Sequence, residues 1–283
     1  DMGAPTFEQS KEMHDLIKKI QPNCLVSGRI WNDQGDFVVM GDNYKPEFKM
    51  GVPWQTPASI FPETWSYRSW QERPSVEEKV KEKIGDLINI VSSGGNYLLN
   101  IGPKANGMVI PFEKQVLQGV GEWLSENGEA IYGTNSTSIA NQDWGCITSK
   151  NNKLYLHVLN FPENNKLSID GLMTSIKKAY PLSNANATLE SSTTNKGLEI
   201  YLTDKMNKDK YATVIVLEYD DELQYAPSGL INPNEDNAFS LSLENAEKYH
   251  SYSGHDYYSS KPTVVKMKWY LSGTTNDVCE INI

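Results

Sequence analysis

The sequence predicts a parallel sheet covered by helices, followed by an all-β sandwich. Two observations carry this. Up to about residue 134, helical apolar stripes alternate with short apolar runs. Beyond it, short β-type runs follow one another, separated by clusters of Asn, Asp, Gly, Ser and Lys. A third observation concerns function. The stretch between Arg29 and Ser75 has no strong period and is rich in Trp, Gly, Pro and Asp. Loops of that length in a compact domain are usually functional.

The elements follow in order. Thr6 opens a helix with Gln9 as its capping-box partner, and Met13, Leu16, Ile17 and Ile20 form its stripe. Pro22-Asn23 ends it, and "CLVSGRI" reads as a buried strand ending near Arg29. Ser75 opens a second helix with Glu78 as box partner. Val76, Val80, Ile84, Leu87, Ile88 and Val91 share one face of it. "GGNYLLNIGP" then gives a strand: Gly94-Gly95 make a tight turn, Asn96 reads as a turn residue, and Asn100 stands at the carboxyl end. Asn100 is placed to hold neighbouring loops or to line a site floor. Pro111 starts a third helix that stops at Asn127-Gly128. "KLYLHVLNF", "LSIDGL", "SIKKAY", "ATLES", "LEIYL" and "YATVIVLEY" are the sandwich strands. An acidic, Pro/Asn-rich linker follows, then "FSLSLENAEKYH", "TVVKMKWYL" and "VCEINI".

Composition removes several classes of function. The 283 residues carry a formal net charge of −10, with no basic stripe to meet phosphates, so nucleic acid is not an expected partner. No apolar run approaches the roughly 20 residues of a membrane span. The first residue is Asp1 rather than Met, which reads as a processed or cut end. Cys24, Cys146 and Cys279 show no CxxC spacing, and the four histidines form no HxxxH. Neither a metal nor another cofactor is expected.

A helix-covered parallel sheet of this kind keeps its chemistry at the carboxyl ends of its strands. Arg29 follows one such run, and Asn100 with "GPKANG" follows another. The long loop adds Asp33, Asp36, Asp42, Glu47 and Glu63, together with Trp31, Trp54, Trp65 and Trp70. Carboxylates among tryptophans suit a sugar site: indole faces pack on pyranose C–H groups, and paired carboxyls do acid and base work. A solvated acidic loop with tryptophans capping a core is the other reading of the same residues.

"DMGAPT", "SGRI", "PWQTPASIFPETWSYR", "VSSGGNYLLNIGPKANGMV" and "LQGVGEWLSENGEAIYGT" together resemble the α-L-fucosidases of glycoside hydrolase family 29, in order, from residue 1 to about residue 220. The resemblance implies a (β/α)8-like barrel, only its second half in this chain, followed by an antiparallel β-sandwich. On that plan residues 1–134 are barrel, residues 135–222 are the sandwich, and residues 223–283 are an additional β-rich unit, thin for a sandwich of its own. The implied activity is retaining removal of terminal α-L-fucose from oligosaccharides or glycoconjugates in a periplasmic or secreted setting. The absent first half of the barrel would be needed for turnover.

Residue by residue, the resemblance makes Asp1 in "DMG" the nucleophile, Arg29 in "SGR" a fucose contact, and Trp65 in "TWSYR" an aromatic against the sugar's apolar face. Many relatives have Trp-Glu where this chain has Trp54-Gln55. A glutamine cannot supply the acid's proton, so Gln55 is expected only as a substrate-binding residue. The acid/base then falls to Glu63, with Asp42 as the second candidate. A non-catalytic carbohydrate-binding module, using Tyr252, Tyr257, Tyr258 or Trp269, is the alternative from another class.

Overall fold

The computed structural model describes residues 4–44, 49–50, 52–203, 206–220, 223–225, 231–242, 247–251, 264–271 and 278–282. In chain order its helices and strands are α1 (Phe7–Ile20), β1 (Val38–Val39), β2 (Lys49–Met50), β3 (Trp54–Ser59), α2 (Val76–Ser92), β4 (Gly95–Asn100), α3 (Pro111–Asn127), β5 (Asn135–Ser136), β6 (Gly145–Lys150), β7 (Lys153–Val158), β8 (Lys166–Asp170), β9 (Lys178–Pro181), β10 (Glu190–Thr193), β11 (Gly197–Tyr201), β12 (Thr213–Glu218), β13 (Glu247–Ser251), β14 (Val264–Tyr270) and β15 (Val278–Asn282). The chain divides into two compact units. One holds residues 1–65, 93–100 and 231–283, and the other holds residues 66–92 and 101–230.

The first unit contains a parallel sheet in the order β1-β3-β4. α1 begins as expected: the Thr6 hydroxyl accepts from the Gln9 N–H, and the Gln9 side chain accepts from the Thr6 N–H at 2.9 Å. Its apolar stripe, though, is exposed at Met13, Leu16 and Ile20. "CLVSGRI" is not a strand. Only Ser27 bridges Phe37, and residues 28–30 form a 3-10 turn. The reason is local. The Val26 N–H is taken by the Asp36 carboxylate at 2.7 Å, and the Val26 carbonyl by the Asp36 N–H at 2.8 Å, so no ladder is left to extend. Lys18 of α1 also binds Asp36, at 2.7 Å, and this hydrogen bond holds the Asp36 carboxyl below its usual range.

β3 lies inside the stretch read as one long loop. Pro57 hid it, because proline cannot donate to a ladder. In the sheet its carbonyl faces the β1 edge and accepts from Asn43 N–H at 2.9 Å, beyond the end of β1 at Val39. The missing N–H therefore interrupts nothing. Asn96 is a strand residue paired with Gln55, not a turn residue; the turn lies at Ser93-Gly94, with Gly94 at φ 82°, and Gly95 already belongs to β4. Gly95 has a different reason. A Cβ there would lie 2.6 Å from Cε2 of Trp54, whose indole is buried and donates to the Ser93 carbonyl at 3.4 Å. The same unit holds a sheet in the order β15-β14-β13-β2. β2 pairs in parallel with β13, almost two hundred residues later. Trp269 is buried there, and its Nε1 donates to the Ser242 carbonyl at 2.8 Å, so it is not an exposed glycan platform. Tyr252, Tyr257 and Tyr258 lie outside the described residues.

The second unit packs α2 and α3 with two antiparallel sheets, β5-β6-β7-β12-β9 and β10-β11-β8. Ser75 and Glu78 cap α2 reciprocally, at 2.9 and 3.2 Å. Gly119 of α3 sits against Val80 of α2, where a Cβ would meet Val80 Cγ2 at 2.7 Å. The two sheets share one core, in which Leu154, Leu156 and Val158 of β7 meet Leu167, Ile169, Leu198 and Ile200. The alternate residues of β7, Tyr155 and His157, point the other way and are buried too. On that face Cys146 of β6 donates to Asn89 of α2, at 3.1 Å, and Trp123 of α3 donates to the Ala212 carbonyl at 2.9 Å. Burial on both faces gives the continuous apolar texture of this strand. β6 had no place among the sequence-derived strands, since "GCITSK" is short and polar at its end.

His157 is fully buried. The Thr148 hydroxyl, 3.0 Å from its Nε2, donates to the Ala130 carbonyl at 2.8 Å. The hydroxyl proton is thus committed, and Nε2 carries the hydrogen between the two residues. Burial pushes the His157 pKa down to about 4 from an ordinary 6.5. Two predictions follow from this packing. The unfolded chain protonates first, so the stability owed to neutral His157 is complete above pH 6.5 and drains away as pH falls towards 4. The loss should reach about 3 kcal/mol, at ~1.4 kcal/mol per pH unit. Urea unfolding at about pH 7.5 and about pH 4.5 should show a smaller loss for His157→Gln than for the parent; equal losses would remove His157 as the cause. Gly95→Ala should destabilise by about 1–3 kcal/mol through overpacking against Trp54, read as a fall in thermal midpoint. A variant as stable as the parent would show that the close approach is not limiting.

Candidate active site

β1, β3 and β4 run parallel, so their carboxyl ends lie on one edge of the sheet. Ser59 pairs with Asn100 at that edge. The segment after β1 continues beside β3: the Met40 N–H donates to the Gln55 carbonyl and the Asn43 N–H to the Pro57 carbonyl, both at 2.9 Å. Asp42 is thereby carried to the same edge. Glu63 and Trp65 reach it on the turn that follows Ser59.

Side chains at the edge bind the three segments together. Asn43 is left-handed, at φ 56°, a conformation that asparagine tolerates better than most residues. Its Oδ1 accepts from the Ser59 N–H at 2.9 Å, and its Nδ2 donates to the Pro62 carbonyl at 3.4 Å. The Ser59 hydroxyl donates to the Thr64 carbonyl at 2.8 Å. Asn100 Nδ2 donates to the Trp65 carbonyl at 3.0 Å and to Ser59 Oγ at 3.4 Å. The Ile60 N–H returns to the Asn100 carbonyl at 3.2 Å. Ser59 and Thr64 are buried, so these bonds replace water that cannot reach the groups. Asn100 does hold a loop, and the loop it holds carries Trp65.

Around this floor the candidate residues take distinct positions. Arg29 follows Ser27 on the 3-10 turn, and its Nη2 meets Asp42 Oδ1 at 2.7 Å. The ion pair is not sealed from solvent, with side-chain exposures of 41% and 30%. Glu63 is exposed and makes no hydrogen bond or ion pair among the described residues. Trp65 is 38% exposed, which leaves indole surface open. Gln55 is not brought to this edge. It is the second residue of β3, four residues before Ser59, roughly 13 Å along the strand. Asp1 and Glu47 lie outside the described residues. Among the described residues no group of three His, Cys, Asp or Glu is placed to hold a metal ion, and no helix is long and apolar enough to cross a membrane.

The edge is equipped for a small polar ligand with one apolar side. It offers a guanidinium, two carboxylates and a half-exposed indole on loops that a hydrogen-bonded floor keeps in place. Sequence reasoning missed Asn43 and Ser59. The signal for Asn43 was its place after Gly41-Asp42, where a left-handed turn residue is at home; Ser59 had none.

Comparison with known proteins follows the same stretch of chain. Residues 3–129 match the family model described as alpha-L-fucosidase, a span that includes Arg29, Asp42, Glu63, Trp65 and Asn100. Human tissue alpha-L-fucosidase is 35% identical over 178 residues, covering 59% of this chain and 37% of that protein. The chain thus spans little more than a third of that relative's length. Among solved structures, alpha-L-fucosidase isoenzyme 1 from Paenibacillus thiaminolyticus superposes with a TM-score of 0.67 at 27% identity, over 75% of this chain and 54% of that one. The alpha-L-fucosidase from Vibrio sp. strain EJY3 does so with a TM-score of 0.68 at 26% identity, over 93% of this chain and 45% of that one.

Replacing Asn100 with Asp keeps the size and removes the donor. The Trp65 carbonyl then faces a carboxylate, and the variant should lose about 1–3 kcal/mol in urea unfolding. If Asn100→Asp melts like the parent, the floor is not held by this side chain.

Proposed function

From the match of residues 3–129 to the α-L-fucosidase family model, we propose that this chain belongs to a retaining exo-α-L-fucosidase of glycoside hydrolase family 29. It would remove terminal α-L-fucose from glycans by double displacement. The observation that carries the reading is the gathering of Arg29, Asp42, Glu63 and Trp65 at the carboxyl edge of one parallel sheet, within the matched span. On this reading β1, β3 and β4 are strands of a (β/α) barrel, and the antiparallel sheets of β5–β12 are the sandwich that follows it in the chain. The rest of the barrel corresponds to the part of the relatives that this chain does not span, and turnover would need it. The substrate would be a fucosylated oligosaccharide or glycoconjugate, met in the periplasm or outside the cell.

The chemistry assigns one role to each group. The Asp1 carboxylate attacks the anomeric carbon as the glycosidic bond breaks, giving a glycosyl-enzyme ester. Glu63 gives its proton to the departing glycosidic oxygen. It then accepts a proton from the water that attacks the same carbon and releases Asp1. Two inversions leave the configuration retained. Arg29 donates to sugar hydroxyls, and the open face of Trp65 packs on the sugar near its methyl group. Glu63 suits the acid role better than Asp42, because Asp42 is already engaged by a guanidinium. Gln55, at the amino end of β3, is left out of the site.

The test is turnover of 4-nitrophenyl α-L-fucoside by the gene product. Asp1→Ala should abolish it. Glu63→Ala should lose about 10²–10⁴-fold in kcat on substrates with poor leaving groups, with azide restoring rate on the activated aryl fucoside. A Glu63→Ala variant that turns over both kinds of substrate like the parent would move the acid/base elsewhere. Unchanged turnover by Asp1→Ala would sink the nucleophile assignment.

A further inference from the structure

We infer that the antiparallel unit carries a binding site of its own for neutral saccharides, in a cleft formed by the turn before β6, the segment after β7, and β8. The inference goes beyond the fucosidase reading and does not rest on it, since every residue of the cleft belongs to the second unit. The cleft has a volume of about 320 Å³, at the small end of the roughly 300–1,000 Å³ usual for small-ligand sites.

Its floor is rigid. Trp144 is buried there, and its Nε1 donates to the Ser168 carbonyl at 3.0 Å. The Trp144 carbonyl accepts from the N–H groups of Leu159 and Asn160, at 2.9 and 3.0 Å. Gln142 and Gly145 exchange two backbone hydrogen bonds, at 2.9 and 3.0 Å, and so close the turn that carries Asp143. Phe161 and Pro162 add half-buried apolar surface.

The polar lining is oriented before any ligand arrives. Gln142 Nε2 donates to the Ala140 carbonyl at 2.8 Å, and Asn160 Nδ2 to the Asp143 carbonyl at 3.4 Å. Asn164 Oδ1 accepts from the Lys166 N–H at 3.1 Å. A carbonyl can face only the nitrogen of an amide, and an N–H only its oxygen, so all three amides are fixed end for end. Their other ends, Gln142 Oε1, Asn160 Oδ1 and Asn164 Nδ2, make no hydrogen bond among the described residues. The carboxylates of Asp143 and Asp170, in the same lining, make none either. The cleft therefore offers more acceptors than donors, beside an apolar floor.

That balance selects the ligand. An anion would meet two carboxylates, and the charge of Lys166 in the lining is already taken by Glu199 at 2.7 Å. A metal ion finds no group of three His, Cys, Asp or Glu among the described residues. A neutral saccharide matches both features: its hydroxyls donate to the carboxylates and amide oxygens, and its C–H surface packs on the apolar lining.

The experiment uses the gene product as expressed, with lactose and N-acetyllactosamine as probes that carry no fucose. Binding is read by saturation-transfer difference NMR, and turnover of 4-nitrophenyl α-L-fucoside is followed in parallel. The variants are Gln142→Ala/Asn160→Ala and Asp143→Ala/Asp170→Ala, at exposed or half-buried positions. The inference expects a saturating signal with a dissociation constant on the order of 1 mM. Both double variants should weaken it about tenfold or more, with kcat/KM on the aryl fucoside within about twofold of the parent. Each double variant tests the cleft alone, so if one fails to fold the other decides. Three results overturn the inference: no signal at about 10 mM saccharide, a signal that both variants keep, or a loss of signal matched by an equal loss of turnover. A thermal midpoint raised by calcium chloride in the parent but not in Asp143→Ala/Asp170→Ala, without a saccharide signal, would make the cleft a cation site and overturn it too. Absent turnover in the parent would count against the fucosidase reading alone, because the cleft is judged on binding.

Discussion

The candidate site depends on the hydrogen bonds that converge on Ser59 and Asn100. A parallel sheet ends in backbone groups with no further strand to pair them, and loops that leave such an edge have no register of their own. Here side chains finish what the ladder leaves undone. Asn43 reaches across to Ser59, Ser59 to Thr64, and Asn100 to Trp65. Together they tie two loops, the one after β1 and the one after β3, to the same edge. Asp42 is next in chain to a tied residue and Trp65 is tied by its own carbonyl, so the floor holds the backbone that carries both.

Close approaches set the rest of the parallel sheet. Gly95 is needed because the Trp54 indole occupies the space that a Cβ would take. Pro57 is accepted because its missing donor faces a stretch where β1 has ended. In the antiparallel unit the constraint is burial on both faces of β7. Leu154, Leu156 and Val158 need a second sheet; Tyr155 and His157 need partners on the other side. Tyr155 meets this need with a hydrogen bond to Glu129 at 2.7 Å, and burial with that bond pushes its hydroxyl pKa above the usual tyrosine range. His157 meets it by staying neutral.

Much of the fold was legible because the signals were local. Capping boxes at Thr6 and Ser75, stripes at helical spacing and the run of short β-type segments all act within a few residues. Where sequence reasoning failed, a distant or side-chain partner had replaced the regular one. "CLVSGRI" is apolar enough for a strand, but Asp36 takes the backbone groups of Val26. β3 carries a proline and still pairs on both sides. Trp269 belongs by composition to an exposed aromatic set, and it lies buried with Met267 and Ile231.

What the sequence determined by itself was the kind of each long element and the residue types available for chemistry: an arginine, carboxylates and tryptophans on one irregular stretch, in motifs that resemble one hydrolase family. Hydrophobic period and cap chemistry are written residue by residue, so they need no fold to be read. What only the tertiary structure decided was which of those residues meet. Arg29 and Asp42 are thirteen apart in sequence and 2.7 Å apart in space; Asn100 and Trp65 are thirty-five apart and joined at 3.0 Å. Gln55 shared a motif with Glu63 and Trp65 and ended at the other end of β3. A strand separates its two ends by its full length, while a parallel sheet brings the ends of different strands to one edge, and no local pattern records either fact.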